Sequence, residues 1–556
     1  MLIPTSDQQK ALDEPVLSLL ILAPAGCGKT EALALRIDGI LRRGQVDNNQ
    51  KILVVTFSNK ARDNVQERII ARIGAASARK FVTVQNLHGL SGRIYVAHSY
   101  VLGLDAQATF PDSKWLLAKI RSKVGSAASR KAVSEQLRTV KQQPLDDHEV
   151  LKSLDDSNFR AAAQIERERL ADNRLTYDDL PRLAEVILGN ANVASFYRNH
   201  FAAIIVDEFQ DLTPQQLRIV QSIGFGKTTY AGDLAQGIYG FTGADPEGVL
   251  ASIRHEVSVE ISFSESHRSS PRVLSTVNAL VPWTGGNVLT CARPELWPGG
   301  GALAVQGFVS LEAEADWIIS AAGSILHKFP THRIGVITRL NDRMSVIETV
   351  AAASGISVHQ WRDPLYNLNV ARYLKQVLQR IDLGQFAAAA DKPAYLHSLG
   401  EPLDFQDPET LAELQESYEW ASDLIVSGID VAAIVSRIKT GDADALLSAR
   451  GVHLLSAHLG KGQQFDWVFA AGLEEGVLPF ELAMGSQDGL NEELRVFSVI
   501  LSRARFGVAV THSRRNLKWG REQDARPSKF LGPLASLDGR LDAEGFMRSL
   551  ADGDLG

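Results

Sequence analysis

The 556 residues exceed one ordinary core and, at ~150 residues per domain, suggest roughly three to four domains. Apolar and charged fractions of 45% and 22% are those of a globular protein, and no apolar run approaches the ~18 residues of a membrane span. A net charge of −7 does not announce a nucleic-acid binder, and two distant cysteines, Cys27 and Cys291, exclude a disulfide framework and a zinc or iron–sulfur site. The opening MLIPTSDQQKALDEP is polar and acidic, so no signal peptide is expected, and a reducing cytoplasm with no membrane partner fits.

The first element, LSLLILAPA (Leu17 to Ala25), is apolar, as a buried parallel strand should be. Ala25, Gly26, Cys27, Gly28, Lys29 and Thr30 follow, and then EALALRIDGILRR repeats apolar residues at helical spacing. Strand, glycine-bearing loop and helix form the context of a Walker A motif. Glycines let backbone N–H groups point at phosphate oxygens, Lys29 places a cation between the β- and γ-phosphates, and Thr30 offers a hydroxyl to Mg²⁺. Ala23 stands where the usual pattern has its first glycine, at the strand's exit and away from the phosphate-wrapping segment. Cys27 contributes mainly its backbone.

Residues 92–174 are polar, helical in pattern and basic, and read as an insertion. From Lys114 to Lys141 there are eight Lys or Arg and one acid, Glu135. Such a run is either a solvated helix face or a local phosphate-binding patch, since screening limits distant charge to about 10 Å. A second apolar strand, FAAIIVDEFQD (Phe201 to Asp211), ends in Asp207, placed to hold Mg²⁺, and Glu208, placed to orient and deprotonate the attacking water. A second basic segment, SRRNLKWGRE followed by ARPSKF, lies near the C-terminus.

Further landmarks follow the loop in order: VVTFSNKARDNVQERI, NLHGL, LTYDDL, AGDLAQGIYGFTGA, SESHRSSPRVL, LSAHLGKGQQFDWVFAAGLEEGVLP and EELRVFSVILSRA. The set resembles the UvrD/PcrA/Rep-like superfamily 1 DNA helicases. That resemblance implies an α/β fold of two RecA-like P-loop domains with parallel sheets and ATP bound between them. Residues 1–91 with 175–255 would form the first, 256–385 with 448–556 the second, and 92–174 and 386–447 two reduced, mainly helical accessory insertions. The implied activity is ATP-driven translocation on single-stranded or tailed DNA and unwinding of duplex, with 3′→5′ polarity.

The resemblance also assigns roles by position. Gln8 matches an adenine-reading glutamine, and Gln236 the glutamine that senses the γ-phosphate. Arg268 and Arg503 match two arginines of the second domain that reach that phosphate; Gly462 and Gln464 lie in a nucleotide-side segment. Phe57 and Phe241 match base-stacking aromatics, and Tyr239 a nearby DNA-side tyrosine that is as readily a core residue. Asn59, Lys60, His88 and His458 match polar DNA contacts. Arg339 matches a family arginine. Four positions depart from the pattern: Glu31 and Thr242 each replace an arginine, His267 an adenine-stacking tyrosine and Ser498 an aromatic. No nuclease constellation is visible. APAGCGKT with short insertions is also similar to the helicase-like subunit of Gabija-type phage-defence systems, which implies a nuclease partner subunit and a DNA-sensing ATPase role.

Overall fold

A computed structural model describes residues 4–57, 59–104, 108, 113–157, 159–361, 365–366, 368–389, 391–400, 408–426, 428–440, 448–518 and 521–552. The chain divides into two units, Met1–Pro294 with Gln487–Ser498, and Glu295–Ser486 with Val499–Gly556. Among the described residues no helix is long and apolar enough to cross a membrane.

The first unit is built on a six-stranded sheet in the order Val82–Asn86, Lys51–Thr56, Phe201–Asp207, Thr228–Gly232, Leu19–Leu22, Val259–Ser262. Every pairing is parallel. Strands of a parallel sheet are covered on both faces, which is why Phe201–Asp207 is buried along its whole length and reads as a continuous apolar run. On one face Ile94, Leu183, Ile187 and Val220 pack against Ile204 and Val206. On the other, Leu33, Ile37, Val65 and Ile69 pack against Ile52, Val54 and Ile205. Because all six strands point the same way, the segments that follow Leu22, Thr56, Asn86, Asp207 and Gly232 all leave from one edge of the sheet.

The edge strand Val259–Ser262 pairs with Leu19–Leu22, and Ile261 and Phe263 bury against Ile21 and Ala23. Residues 256–294 therefore pack with the first sheet rather than with the second, where the sequence placed them. The pattern alone gave no sign that Val259–Ser262 would be recruited to the edge of the first sheet.

Within residues 92–174 lie the helices Ser113–Lys123, Ala127–Lys141, Asp147–Asp156 and Arg160–Ala171, which share an apolar cluster of Ile120, Leu137, Val150, Leu154 and Ile165. Most of the expected basic patch is already engaged. Lys119 and Lys123 pair with Glu168 at 2.8 and 2.6 Å, and Arg130 donates to the Val124 and Gly125 carbonyls. Lys141 lies buried against Glu166 and Asp179 at 2.8 and 2.9 Å, with Arg169 and Arg182 closing the network. Burial alone would raise the Asp179 carboxyl, but Lys141, Arg169 and Arg182 hold it well below the ordinary carboxylate range. Asp147, Glu166 and Asp179 come close enough together to hold a cation, yet these three side-chain cations already neutralise them. Buried charges are tolerated only when paired in this way.

The second unit has its own six-stranded parallel sheet, in the order Val358–Gln360, Gly451–Ser456, Arg333–Thr338, Phe465–Ala471, Ala504–Ser513, Ala302–Phe308. Helices Leu311–Lys328 and Asn341–Ala353 cover it through Ile318, Ile325 and Ile347, packed with Val336 and Phe469. In the stretch 386–447, the described residues include three helices, Lys392–Ser398, Pro408–Val426 and Val431–Arg437. Leu396, Tyr418 and Ile434 gather there around Leu374 of the preceding helix Leu368–Gln379.

Candidate nucleotide and single-strand site

The loop after Leu19–Leu22 turns through two left-handed glycines, Gly26 at φ +88° and Gly28 at φ +79°. Both are required by backbone conformation, and Gly26 by space as well. A Cβ on Gly26 would lie 2.7 Å from Ser266 Oγ and from Arg268 Cβ, and one on Gly28 would lie 2.4 Å from Gln8 Nε2. The helix Lys29–Arg42 starts directly after Gly28 and puts Lys29, Thr30 and Glu31 in its first turn. Its N-terminal N–H groups and dipole make that end an anion site.

Gln8 is brought to this loop, but its amide is engaged on both sides. Oε1 accepts from Thr5 N at 3.1 Å in a capping box, and Nε2 donates to the Gly28 carbonyl at 3.4 Å. Arg268 also reaches the loop, from within the first unit. It follows the short strand Glu265–Ser266, and the next residue back, His267, donates from its backbone N to the Gly26 carbonyl at 3.0 Å. The expectation that Arg268 comes from the second domain is corrected accordingly. Cys27 is buried; burial first, and then the Asp233 charge, push its thiol up to about 12.

Lys29 Nζ lies 3.2 Å from Asp207 Oδ1 and pairs also with Glu208. Burial alone would lower the Lys29 ammonium; the Asp207 and Glu208 charges outweigh it and raise it. Burial raises the Asp207 carboxyl, the Glu208 charge adds to this, and Lys29 opposes it. Glu208 itself has φ 59°, left-handed backbone that a non-glycine residue adopts rarely and mainly at functional sites. Asp207 Oδ1 is buried against the Lys29 ammonium, and a carboxylate oxygen at this strand end is the ligand type that a hard cation takes.

Three residues outside the expected set complete this corner. Gln210 is fully buried and donates from Nε2 to Glu208 Oε2 at 2.6 Å, while its Oε1 accepts from Asp233 N at 3.0 Å. Gln236 in turn donates from Nε2 to Asp233 Oδ2 at 2.8 Å. Burial raises the Asp233 carboxyl. The signal for Gln210 was present in DEFQD, two positions beyond Glu208, but the turn that folds it back was not readable. Ser266 against Gly26 left no sequence signal.

From the same sheet edge rise the aromatic rings. Phe57 stacks on Tyr239 with centroids 5.2 Å apart and planes 13° apart, and Tyr239 meets Phe241 at 5.9 Å edge-on. Phe57 and Phe241 are 42% and 58% exposed, and Tyr239 is half-buried between them rather than in the core. His88 meets the exposed Tyr177 ring edge-on, and burial lowers its imidazole against the opposing charge of Asp178. One cavity is lined by Phe57, His88, Asp207, Glu208, Leu212 and Gln216, so Phe57 and the two strand-end acids share a single recess. The side chains of Asn59 and Lys60 lie outside the described residues.

The remaining candidates belong to the second unit. His458 follows the C-terminal end of strand Gly451–Ser456, whereas Gln464 and Arg503 immediately precede strands Phe465–Ala471 and Ala504–Ser513. They therefore occupy opposite edges of that sheet. Gly462 adopts φ +82° in the segment between. Arg503 is buried, donating to the Val499 carbonyl at 3.0 Å and to Ser502 Oγ at 2.8 Å, and Arg339 lies over the Phe480 ring at 5.3 Å. Ser498, where the pattern has an aromatic, is buried.

With this geometry in place, comparison with known proteins is informative. The UvrD/REP helicase N-terminal domain matches residues 5–256, and the UvrD-like helicase C-terminal domain matches residues 395–515. The chain is 27% identical over 575 residues to the ATP-dependent DNA helicase UvrD2 of Mycobacterium tuberculosis, covering 95% of this chain and 81% of that protein. It is 25% identical over 632 residues to DNA helicase II of Escherichia coli, covering 95% of this chain and 86% of that one. The second alignment is longer than the 556-residue chain itself, so that relative carries segments lacking here.

Proposed function

This chain belongs to the UvrD-like superfamily 1 helicases and is an ATP-hydrolysing DNA helicase, and from that premise we propose that it translocates 3′→5′ along single-stranded DNA. The observation that carries this reading is the shared recess: Asp207 and Glu208 line the same cavity as Phe57 and His88. A change at the phosphate end is thereby adjacent to the groups that grip bases.

The residues fit the nucleotide chemistry. The Gly26–Thr30 loop and the start of helix Lys29–Arg42 would bind the phosphates, with the Lys29 ammonium kept charged by its acidic neighbours. Thr30 and Asp207 would hold Mg²⁺, which when bound neutralises phosphate charge. Glu208 would take a proton from the attacking water, with Gln210 fixing the direction of its carboxylate. Gln236 joins the same chain of contacts through Asp233 and is three residues from Tyr239, which offers a route from hydrolysis to the rings. Each stacked base contributes ~1–3 kcal/mol.

A second reading is favoured by the small 386–447 segment and by alignments longer than the chain: a DNA-sensing ATPase subunit of a nuclease-containing complex, with little unwinding of its own. ATPase assays with and without single-stranded DNA, run beside strand displacement, separate the two. Stimulated ATPase with displacement supports the translocase; stimulation without displacement supports the second reading.

A further inference from the structure

The Tyr239 and Phe241 rings are carried by the stretch Tyr239–Gly243, whose regular structure is the single turn Gly240–Thr242. Such a turn does not hold itself in place, and here its backbone is held from outside. Arg138 donates from its guanidinium to the Phe241 carbonyl, and Gln142 donates from Nε2 to the Thr242 carbonyl at 3.4 Å. Gly243, next in the chain, has φ +90°, and a Cβ there would lie 2.4 Å from Gln142 Nε2. Two residues of the helical insertion thus reach two successive carbonyls of the loop, with glycine at the point of closest approach.

The end of helix Ala127–Lys141 is a fixed anchor for these contacts. Lys141 is locked in the buried network with Glu166 and Asp179. Gln215 donates from Nε2 to the Lys141 carbonyl, and Arg218 from its guanidinium to the Gln142 carbonyl, both at 3.0 Å. Arg138 lies about one helical turn before this anchor. Its guanidinium also sits 3.8 Å from Glu135, an exposed neighbour on its own helix.

We propose that Arg138 and Gln142 are positioning residues that brace the Tyr239–Gly243 loop, keep its rings aligned with Phe57, and so set the grip on single-stranded DNA. The proposal rests on the reading that these rings stack bases. Its physical basis is preorganisation: a loop ordered before binding does not lose that freedom when the strand arrives. The alternative role for Arg138 is direct contact with a DNA phosphate, and the two make different predictions for the uncharged Gln142.

The test uses the full chain carrying Arg138→Ala or Gln142→Ala. Hydrogen exchange of the 239–243 amides in DNA-free protein reads the brace itself. Faster exchange confined to this loop, with the sheet strands unchanged, is the expected result in both variants; exchange at the wild-type rate overturns the proposal. Affinity for a fluorescent oligo-dT strand, titrated across salt, reads the consequence. Roughly tenfold weaker binding in both variants with an unchanged salt slope is expected. A salt slope lower by about 0.7 for Arg138→Ala, with Gln142→Ala binding as wild type, would mark a phosphate contact and overturn it. A wild-type chain that does not bind the strand would count against the translocase reading, and the exchange measurement would still decide the brace.

Discussion

Gln210 donates to Glu208 Oε2 at 2.6 Å, tying the side chain placed as the catalytic base to a fully buried amide. Gly232 makes this geometry available, because a Cβ there would lie 2.3 Å from Gln210 Oε1. Gln210→Ala removes the hydrogen bond that directs Glu208 Oε2 and leaves its pairing with Lys29, and small misplacements of a reacting group can cost ~10²-fold in rate. The expected outcome is a kcat about 10²-fold lower with little change in KM for ATP. Steady-state ATPase at saturating single-stranded DNA checks it, and a wild-type kcat would remove Gln210 from the mechanism.

Glu208 and Lys29 separate hydrolysis from binding. Glu208→Gln is expected to retain ATP binding and to lose on the order of 10²–10⁴ in hydrolysis. Lys29→Ala is expected to abolish turnover, since it removes the cation facing the phosphates. Binding of a fluorescent ATP analogue alongside phosphate release distinguishes them; hydrolysis by Glu208→Gln at the wild-type rate would contradict the assignment of the base.

Cys27 should be inert despite its place in the loop. Burial favours the neutral thiol and raises it to about 12, against ~8.5 for an ordinary cysteine. A raised folded-state value means the thiol's contribution to stability is full below ~8.5 and is lost as pH rises toward 12. Between pH 7 and 9, iodoacetamide followed by peptide mass analysis should therefore modify the half-buried Cys291 before Cys27. Rapid labelling of Cys27 with an inflection near pH 8.5 would show that the loop does not hold this conformation.

Lys141 is a stability residue. Lys141→Met leaves Glu166 and Asp179 short of a cation inside the protein, a change that typically costs ~3–5 kcal/mol. Thermal unfolding of the full chain should shift down by roughly ten degrees. An unchanged midpoint would mean that Arg169 and Arg182 suffice.

Phe57→Ala and Phe241→Ala should each weaken single-strand binding by ~1–3 kcal/mol, about 5- to 150-fold, whatever the base composition. Fluorescence anisotropy with oligo-dT and oligo-dA measures it. Loss confined to one base would point to edge recognition instead of stacking.

The meeting of Lys29 with Asp207 and Glu208 was legible because its pattern is local. A strand, a left-handed glycine turn and a helix start fix Lys29, and an apolar strand ending in two acids fixes Asp207 and Glu208. The parallel sheet then follows from strands apolar on both faces. What the sequence hid depends on partners far away in the chain. Arg268 joined the first unit because Ile261 and Phe263 complete that sheet's core. In the basic run, Lys119, Lys123 and Lys141 are paired with Glu168, Glu166 and Asp179, acids beyond its own stretch. Arg503 bonds the Val499 carbonyl and Ser502 Oγ, local contacts that the SRARF pattern did not announce. Arg138 looked like one more surface arginine, and only the fold places it on the Phe241 carbonyl.

The most direct test of the central claim is strand displacement by the purified chain with ATP, on duplexes tailed at the 3′ or the 5′ end. ATP-dependent release is expected from the 3′-tailed duplex, with none from the 5′-tailed one and none with Glu208→Gln. Release from the 5′-tailed duplex alone, or stimulated ATPase with no release from either, would contradict it.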